Sequence, residues 1–396
     1  MKNNSLIRIF NQITIGIWIS YFTMTWGIKI SNIYPYLMAF VLWLGTTLIL
    51  DKGWIRKCSK YLSLLIIISL LDYILSLSYN DDNYFRSALI NIVLMYSWSL
   101  VFVFYSRHLE LVKWPIIWAI LATSISAIYT GIGNYIIPEA SRELADRSEH
   151  KSELITEILN LNIGGYGFIF YIVFLIMPLF LVFRFKVYNR LIILLCLFIL
   201  LFCILMASYF TGIVISFAML LLVMLKEKSN GKLVVKVGLL VSFVYLINNP
   251  ILHLLLDFGE AIDSAAIIRH ATEFIEDKGD ENVRFELFGN AIRNWLESPI
   301  WGMLFTGTKT FHSDHSAFLG FFEMYGLLGI FNILLLRDIY NRTAKLIQSP
   351  IIKNYYLLYF LLFIFFLLVD TFPSPIPVSV FFIGPILFLV TDKKEC

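Results

Sequence analysis

Hydrophobic residues in this chain neither alternate with polar ones nor recur at every third or fourth place. They come in long unbroken runs separated by short polar segments. The runs are Ile7–Trp26, Tyr34–Leu50, Tyr61–Tyr79, Ser87–Tyr105, Trp114–Ile137, Asn162–Phe183, Leu191–Ala207, Gly212–Leu225, Leu233–Ile247, Ser316–Leu336, Tyr355–Val369 and Pro377–Val390. Crossing about 30 Å of hydrocarbon takes roughly 20 helical residues. Several runs approach that length, and the shorter ones need their flanks to complete a crossing. Continuous apolar runs without a period of two exclude a closed β-barrel. The pattern predicts an all-α polytopic membrane protein, one integral membrane domain over residues 1–396 with about twelve transmembrane helices.

Composition narrows the function classes. Of 396 residues, 59% are hydrophobic and 15% charged, and the mean hydropathy is +0.78. A soluble domain carries about 25% charged residues. The excess apolar surface therefore excludes a soluble enzyme, a disordered chain, a coiled coil and a nucleic-acid binder of the basic-patch type. The partner this surface demands is a lipid bilayer. The four cysteines give no disulfide framework and no zinc pattern: Cys196 and Cys203 lie seven residues apart in one run, about 10 Å along a helix, and Cys58 and Cys396 are isolated. The first run lacks a cleavage site and reads as a retained span.

Charge placement gives the orientation. Twelve spans put both termini on one side. With that side cytoplasmic, about two thirds of the 31 basic residues fall in cytoplasmic segments, at least two in each. Two segments on the other face are long. Residues 138–161 are polar and predict a short amphipathic helix. Residues 248–315 far exceed the needs of a connection and contain a helical pattern of their own, Asn282–Glu297, stopped by Pro299.

The longer segment concentrates the reactive side chains. It holds His253, His270, His312 and His315, with Arg269, Arg284 and Arg293, although its acids outnumber its bases. A general positive field is absent, so an anion site there must be local. Arginine suits one, because its planar fork pairs bidentately with phosphate and stays charged. Arg293 falls on the opposite helix face from Arg284 and reads as a surface charge. Asp314 and Ser316 are good capping types beside His315. His312 and His315 lack a third ligand at metal-binding spacing, so no metal is expected. Glu323 and Asp72 lie within apolar runs, where a carboxylate normally faces the protein interior. Trp295 and Trp301 are candidate sugar-stacking rings.

The stretch Arg284–Gly329 resembles the O-antigen polymerase and O-antigen ligase superfamily of bacterial inner membranes. The pattern rests on Arg284, Trp295, Pro299, Gly302, Gly307, His315-Ser316, Gly326 and Gly329. A smaller echo is Asn160-Leu161-Asn162-Ile163-Gly164-Gly165. The family's Ser-Arg-Thr-Gly appears as Ser208-Tyr209-Phe210-Thr211-Gly212, which leaves that turn without the family's cation. The resemblance implies a GT-C-like helical fold in the inner membrane. It implies a glycosyltransferase that takes a glycan chain from undecaprenyl diphosphate to the non-reducing end of a lipid-linked repeat unit, for O-antigen, capsule or exopolysaccharide. Donor and acceptor would be lipid-linked oligosaccharides, with a chain-length regulator as a further partner and no nucleic acid. No cofactor is called for, because diphosphate is already a competent leaving group. Within this reading Arg284 and His315 are catalytic, and Arg269, His312, Glu323 and Trp295 bind substrate. The alternatives are an O-antigen ligase that delivers the chain to lipid A–core and, from another class, a flippase of lipid-linked oligosaccharides. Transporters usually carry internal repeats, and none is readable here.

Deletion in the native host separates the two transferases. Loss of a polymerase is expected to leave lipid A–core capped by single repeats. Loss of a ligase is expected to leave bare core, with long chains stranded on the carrier, as read on a lipopolysaccharide gel.

Overall fold

The computed structural model describes residues 2–25, 34–78, 83–137, 140–144, 158, 160–207, 209–224, 280–302, 316–369 and 375–395, with a few positions between 253 and 272. The described residues contain helices and no strand. The helices are α1 (Lys2–Thr23), α2 (Tyr34–Leu50), α3 (Trp54–Ser78), α4 (Asn83–Tyr105), α5 (Lys113–Ile136), the single turn α6 (Ala140–Glu143), α7 (Tyr166–Arg184), α8 (Arg190–Ala207), α9 (Phe210–Met224), α10 (Asp280–Glu297), α11 (Ala317–Tyr325), α12 (Ile330–Leu346), α13 (Pro350–Val369) and α14 (Gly384–Glu395). Among the described residues, five helical stretches are long and apolar enough to cross a membrane: Lys113–Ile136, Tyr166–Arg184, Arg190–Ala207, Ala317–Leu346 and Pro350–Leu368. Exposed large apolar residues run along α1, α2, α5 and α8, among them Leu6, Ile13, Val41, Tyr135, Leu195 and Phe198. So much uncovered apolar surface fits a helical membrane protein.

Eleven of the predicted apolar runs fall on described helices, and Leu233–Ile247 lies outside the described residues. Two runs differ from expectation. Ser316–Leu336 is not one continuous α-helix. It divides into α11 and α12 around a 3₁₀ turn, Gly326–Gly329, and α12 continues to Leu346. Pro377–Val390 opens as a π-helical turn, Val378–Ile383, before entering α14. Of the segment 138–161, in which a short amphipathic helix is expected, the described residues hold the single turn α6, and most of it lies outside them.

α7 lies at the centre of the bundle. It packs against α8, α9, α14 and the π-helical turn, and it is buried along nearly its whole length. The π-helical turn is wholly buried and also packs on α4, with Phe382 stacked on Trp98 at 5.6 Å between ring centroids. A few polar side chains inside this apolar mass bond to one another across helices. Asn11 donates to the Thr46 and Thr47 hydroxyls at 2.9 and 3.0 Å and accepts from the Tyr105 hydroxyl at 2.9 Å, which ties α1 to α2 and α4.

Segments expected on the basic side meet at one end. Asp51 pairs with Arg107 at 2.6 Å, and Asp338 takes both Lys60 at 3.0 Å and Arg342 at 2.7 Å. The Lys60 side chain is 52% exposed, so its pair marks proximity more than it adds stability. Arg184, at the end of α7, donates to the Val223 carbonyl at the end of α9 and to the Tyr355 hydroxyl at 3.1 Å. At the same end the buried Asp392 accepts the backbone N–H groups of Gln348 and Ser349 at 3.0 and 2.7 Å and so closes the start of α13. A carboxylate suits that place, because the helix N-terminus presents unpaired N–H groups and a partial positive charge. Asp392→Ala is expected to destabilise the protein by about 2 kcal/mol, read as a lower thermal midpoint in detergent, and Asp392→Asn by less.

Candidate functional site

The motif residues are best followed from α10. Its sequence opens with Asp280 and Glu281, well placed for a helix N-terminus, and it carries Arg284 in its second turn. Pro299 stops it as expected. The chain then closes a tight turn in which the Gly302 N–H donates to the Ser298 carbonyl at 2.7 Å and the Trp295 indole N–H donates to the Pro299 carbonyl at 3.3 Å. Gly302 has φ +59°, a left-handed conformation that a side chain disfavours.

This turn sits backbone to backbone on the break between α11 and α12. A Cβ on Gly302 would lie 2.5 Å from the Gly326 nitrogen and 2.6 Å from the Glu323 oxygen. One on Gly326 (φ +54°) would lie 2.5 Å from the Ile300 carbonyl and 2.6 Å from the Gly302 nitrogen. Leu327 N–H, freed by the break, donates to the Pro299 carbonyl at 2.8 Å. A Cβ on Gly329 would overlap the Phe321 carbonyl. Gly302, Gly326 and Gly329, together with Pro299, therefore build a joint between the polar helix α10 and the apolar helix α11.

Glu323 and Trp295 stand at this joint. Glu323 is fully buried, and its Oε1 accepts from Asn294 Nδ2 at 2.7 Å. The Trp295 ring packs against Phe322 with centroids 5.3 Å apart. With its N–H on Pro299 as well, the indole has a structural occupation that the sequence did not suggest. Arg293 is exposed, as expected. Asn294 was missed by the sequence reading. Its partner lies 29 residues away, and an asparagine on a polar helix carries no local signal. His315, His312, Arg269 and His270 lie outside the described residues. Ser316, next to His315, is buried. Its hydroxyl accepts from Leu319 N–H at 3.3 Å as the N-cap of α11 and donates to the Leu367 carbonyl of α13 at 3.4 Å.

The remaining motif fragments come to the same end of the bundle. Gly164 donates its N–H to the Thr130 hydroxyl at 2.8 Å and accepts from the Ser141 hydroxyl at 2.6 Å, while Asn134 bonds Ser141 in both directions. A Cβ on Gly164 would lie 2.5 Å from the Phe168 ring. The Asn160–Gly165 echo is thus a strap over the ends of α5 and α6, buried at Ile163 and Gly164. The strap leads into Tyr166, whose ring lies 5.0 Å from that of Tyr209 in the turn between α8 and α9. Phe170, next along, lies 4.7 Å from Phe366 of α13, beside the Leu367 carbonyl that receives Ser316. Fragments near residues 164, 209 and 316 converge through α13. Basic pairs mark the opposite end, where α13 begins.

Comparison with known proteins adds no relative: no protein-family model matches the chain, and no curated protein matches it. The backbone of the joint gives its own prediction. Gly302→Ala and Gly326→Ala each impose a left-handed residue, about 1–2 kcal/mol, and a backbone clash besides. Both are expected to lower the yield and thermal midpoint of folded protein sharply. Gly289→Ala, in α10 with nothing within 4 Å of its Cβ position, is expected to stabilise by about 0.5–1 kcal/mol.

Proposed function

We propose that this chain is a bacterial polysaccharide repeat-unit polymerase. It would work in the cytoplasmic membrane with about twelve crossings, both termini inside and residues 138–161 and 248–315 outside. The observation that carries the reading is the convergence just described. The motif fragments Asn160–Gly165, Tyr209–Gly212 and Ser316 lie hundreds of atoms apart in sequence, yet they share one end of the bundle through α13. The joint fastens the helix that bears Arg284 to the chain's thirty-residue apolar stretch, at Glu323–Gly326. The pattern's order in the sequence has a physical reason if its parts serve one site.

The proposed chemistry needs little from the protein beyond position and charge. A sugar hydroxyl of the acceptor repeat unit attacks the anomeric carbon of the donor chain. The new C–O bond forms as the bond to the diphosphate oxygen breaks, and undecaprenyl diphosphate leaves with the electron pair. Arg284 stabilises the charge that builds on the departing diphosphate. His315 takes the proton of the attacking hydroxyl, a task suited to a group that titrates near neutrality. Arg269 and His312 are placed on the donor as further substrate contacts. Substrate of this kind is amphiphilic, and a site at the end of the bundle where the motif fragments meet would suit a lipid whose headgroup lies at the membrane surface.

Arg284→Ala and His315→Ala in the native host are expected to abolish long-chain polysaccharide while leaving the protein in the membrane. Arg284→Lys is expected to retain partial activity, because an ammonium keeps the charge but loses the fork. The measurement is the length distribution of surface polysaccharide on a gel. Wild-type ladders from both alanine variants would refute these assignments, and accumulation of bare core with stranded long chains would favour the ligase.

A further inference from the structure

Glu323 was expected to meet substrate, but its surroundings suit a different task. The residue has no exposed surface. It contacts the α10 segment at two separate places. Its side chain accepts from Asn294 Nδ2 at 2.7 Å, before Pro299, and its backbone oxygen lies where a Cβ on Gly302, after Pro299, would come within 2.6 Å. Trp295 packs beside this pair on Phe322, but a ring contact is non-directional, whereas the Asn294–Glu323 bond has a fixed direction. Two attachments on either side of the proline fix its tilt.

The leverage is large. Arg284 stands ten residues before Asn294 on one continuous helix, about 15 Å along its axis. A tilt of about 10° at the joint would carry that position through roughly 3 Å by this geometry. A misplacement of about 1 Å can lower a rate on the order of 100-fold. Alignment of Arg284 therefore depends on the joint.

We propose that Glu323 is a positioning residue: paired with Asn294, it sets the tilt of α10 and thereby the place of Arg284, without touching substrate. The catalytic half of this statement rests on the glycan-transfer reading, whereas the mechanical half does not. The chemistry required of Glu323 is that of a hydrogen-bond acceptor. Glutamine has the same shape and keeps an acceptor oxygen for Asn294, so it can replace glutamate. It could not do so if the carboxylate held a proton or a substrate cation.

The test uses the full chain in lipid nanodiscs, with Glu323→Gln, Glu323→Ala and Asn294→Ala. Two readouts are taken. The first is polymerisation of a lipid-diphosphate-linked repeat unit, resolved into kcat and KM. The second is the distance distribution between spin labels at position 282, near the start of α10, and at the exposed position 327, introduced by Asn282→Cys and Leu327→Cys with Cys396→Ser. The expected result is a single narrow distance in the wild type and in Glu323→Gln. Glu323→Ala and Asn294→Ala should give a broadened one. Kinetically, Glu323→Gln should keep about half or more of kcat. The two alanine variants should lose roughly 10- to 100-fold in kcat with KM little changed. A narrow distance in every variant overturns the proposal. So does a Glu323→Gln enzyme that is as inactive as Glu323→Ala while its distance stays narrow, because the charge itself would then be required. If the wild type polymerises nothing, the proposed function falls, and the distance measurements still decide whether Glu323 and Asn294 hold α10.

Discussion

Two stretches of main chain, Ile300–Gly302 and Glu323–Gly326, meet backbone to backbone, and the organisation of the motif region depends on that contact. Backbones can touch only where both partners lack a Cβ. Glycines at 302 and 326 supply that, and their positive φ angles bend each chain away from the contact. The break in the apolar helix follows from the same contact. Ending α11 at Tyr325 frees the Leu327 N–H, and the Pro299 carbonyl of the incoming turn accepts it. Helix break and turn thus complete one another's hydrogen bonding, which an apolar interior requires.

The same requirement accounts for three polar groups elsewhere in the bundle. Asn11, Asn134 and Asp392 are each buried, and each bonds to groups on another segment. They act as fixed points between helices whose remaining contacts are apolar and non-directional. Helices α1, α2 and α4 share one such point, and the start of α13 and α14 share another. Ridges of Leu, Ile and Phe alone would allow these helices to slide past one another, whereas a shared amide or carboxylate selects one register.

How much of this was legible in the sequence depends on what each feature is made of. Helices such as α7 and α8 are written in composition, because an apolar run long enough to cross a membrane has few other uses. The end of α10 was legible because Pro299 cannot continue a helix. The break at Gly326 was not, since Gly320 to Phe331 reads as one apolar run and hydropathy says nothing of backbone angles. The glycines of the motif could be noticed as a pattern, but the contact partners of Gly302 and Gly326 lie more than twenty residues away. Asn294 and Asp392 were invisible for the same reason. Trp295 was legible as an aromatic residue near the candidate site, while its bond to Pro299 and its packing on Phe322 needed coordinates. For Arg284 the sequence placed a helix correctly around it; for His315 it placed the neighbouring Ser316 correctly as a cap.

The closure at the start of α13 bears on how the chain is made. Its two N–H groups wait for a carboxylate that lies 43 and 44 residues further on. During synthesis α13 therefore leaves the ribosome with its leading end unfinished, and it must be held by water or lipid headgroups until the following segment arrives. Settling of α13 into its final seat is in this way deferred to the arrival of α14, and a nascent bundle halted between the two would be left loose at the edge where Asp392 belongs.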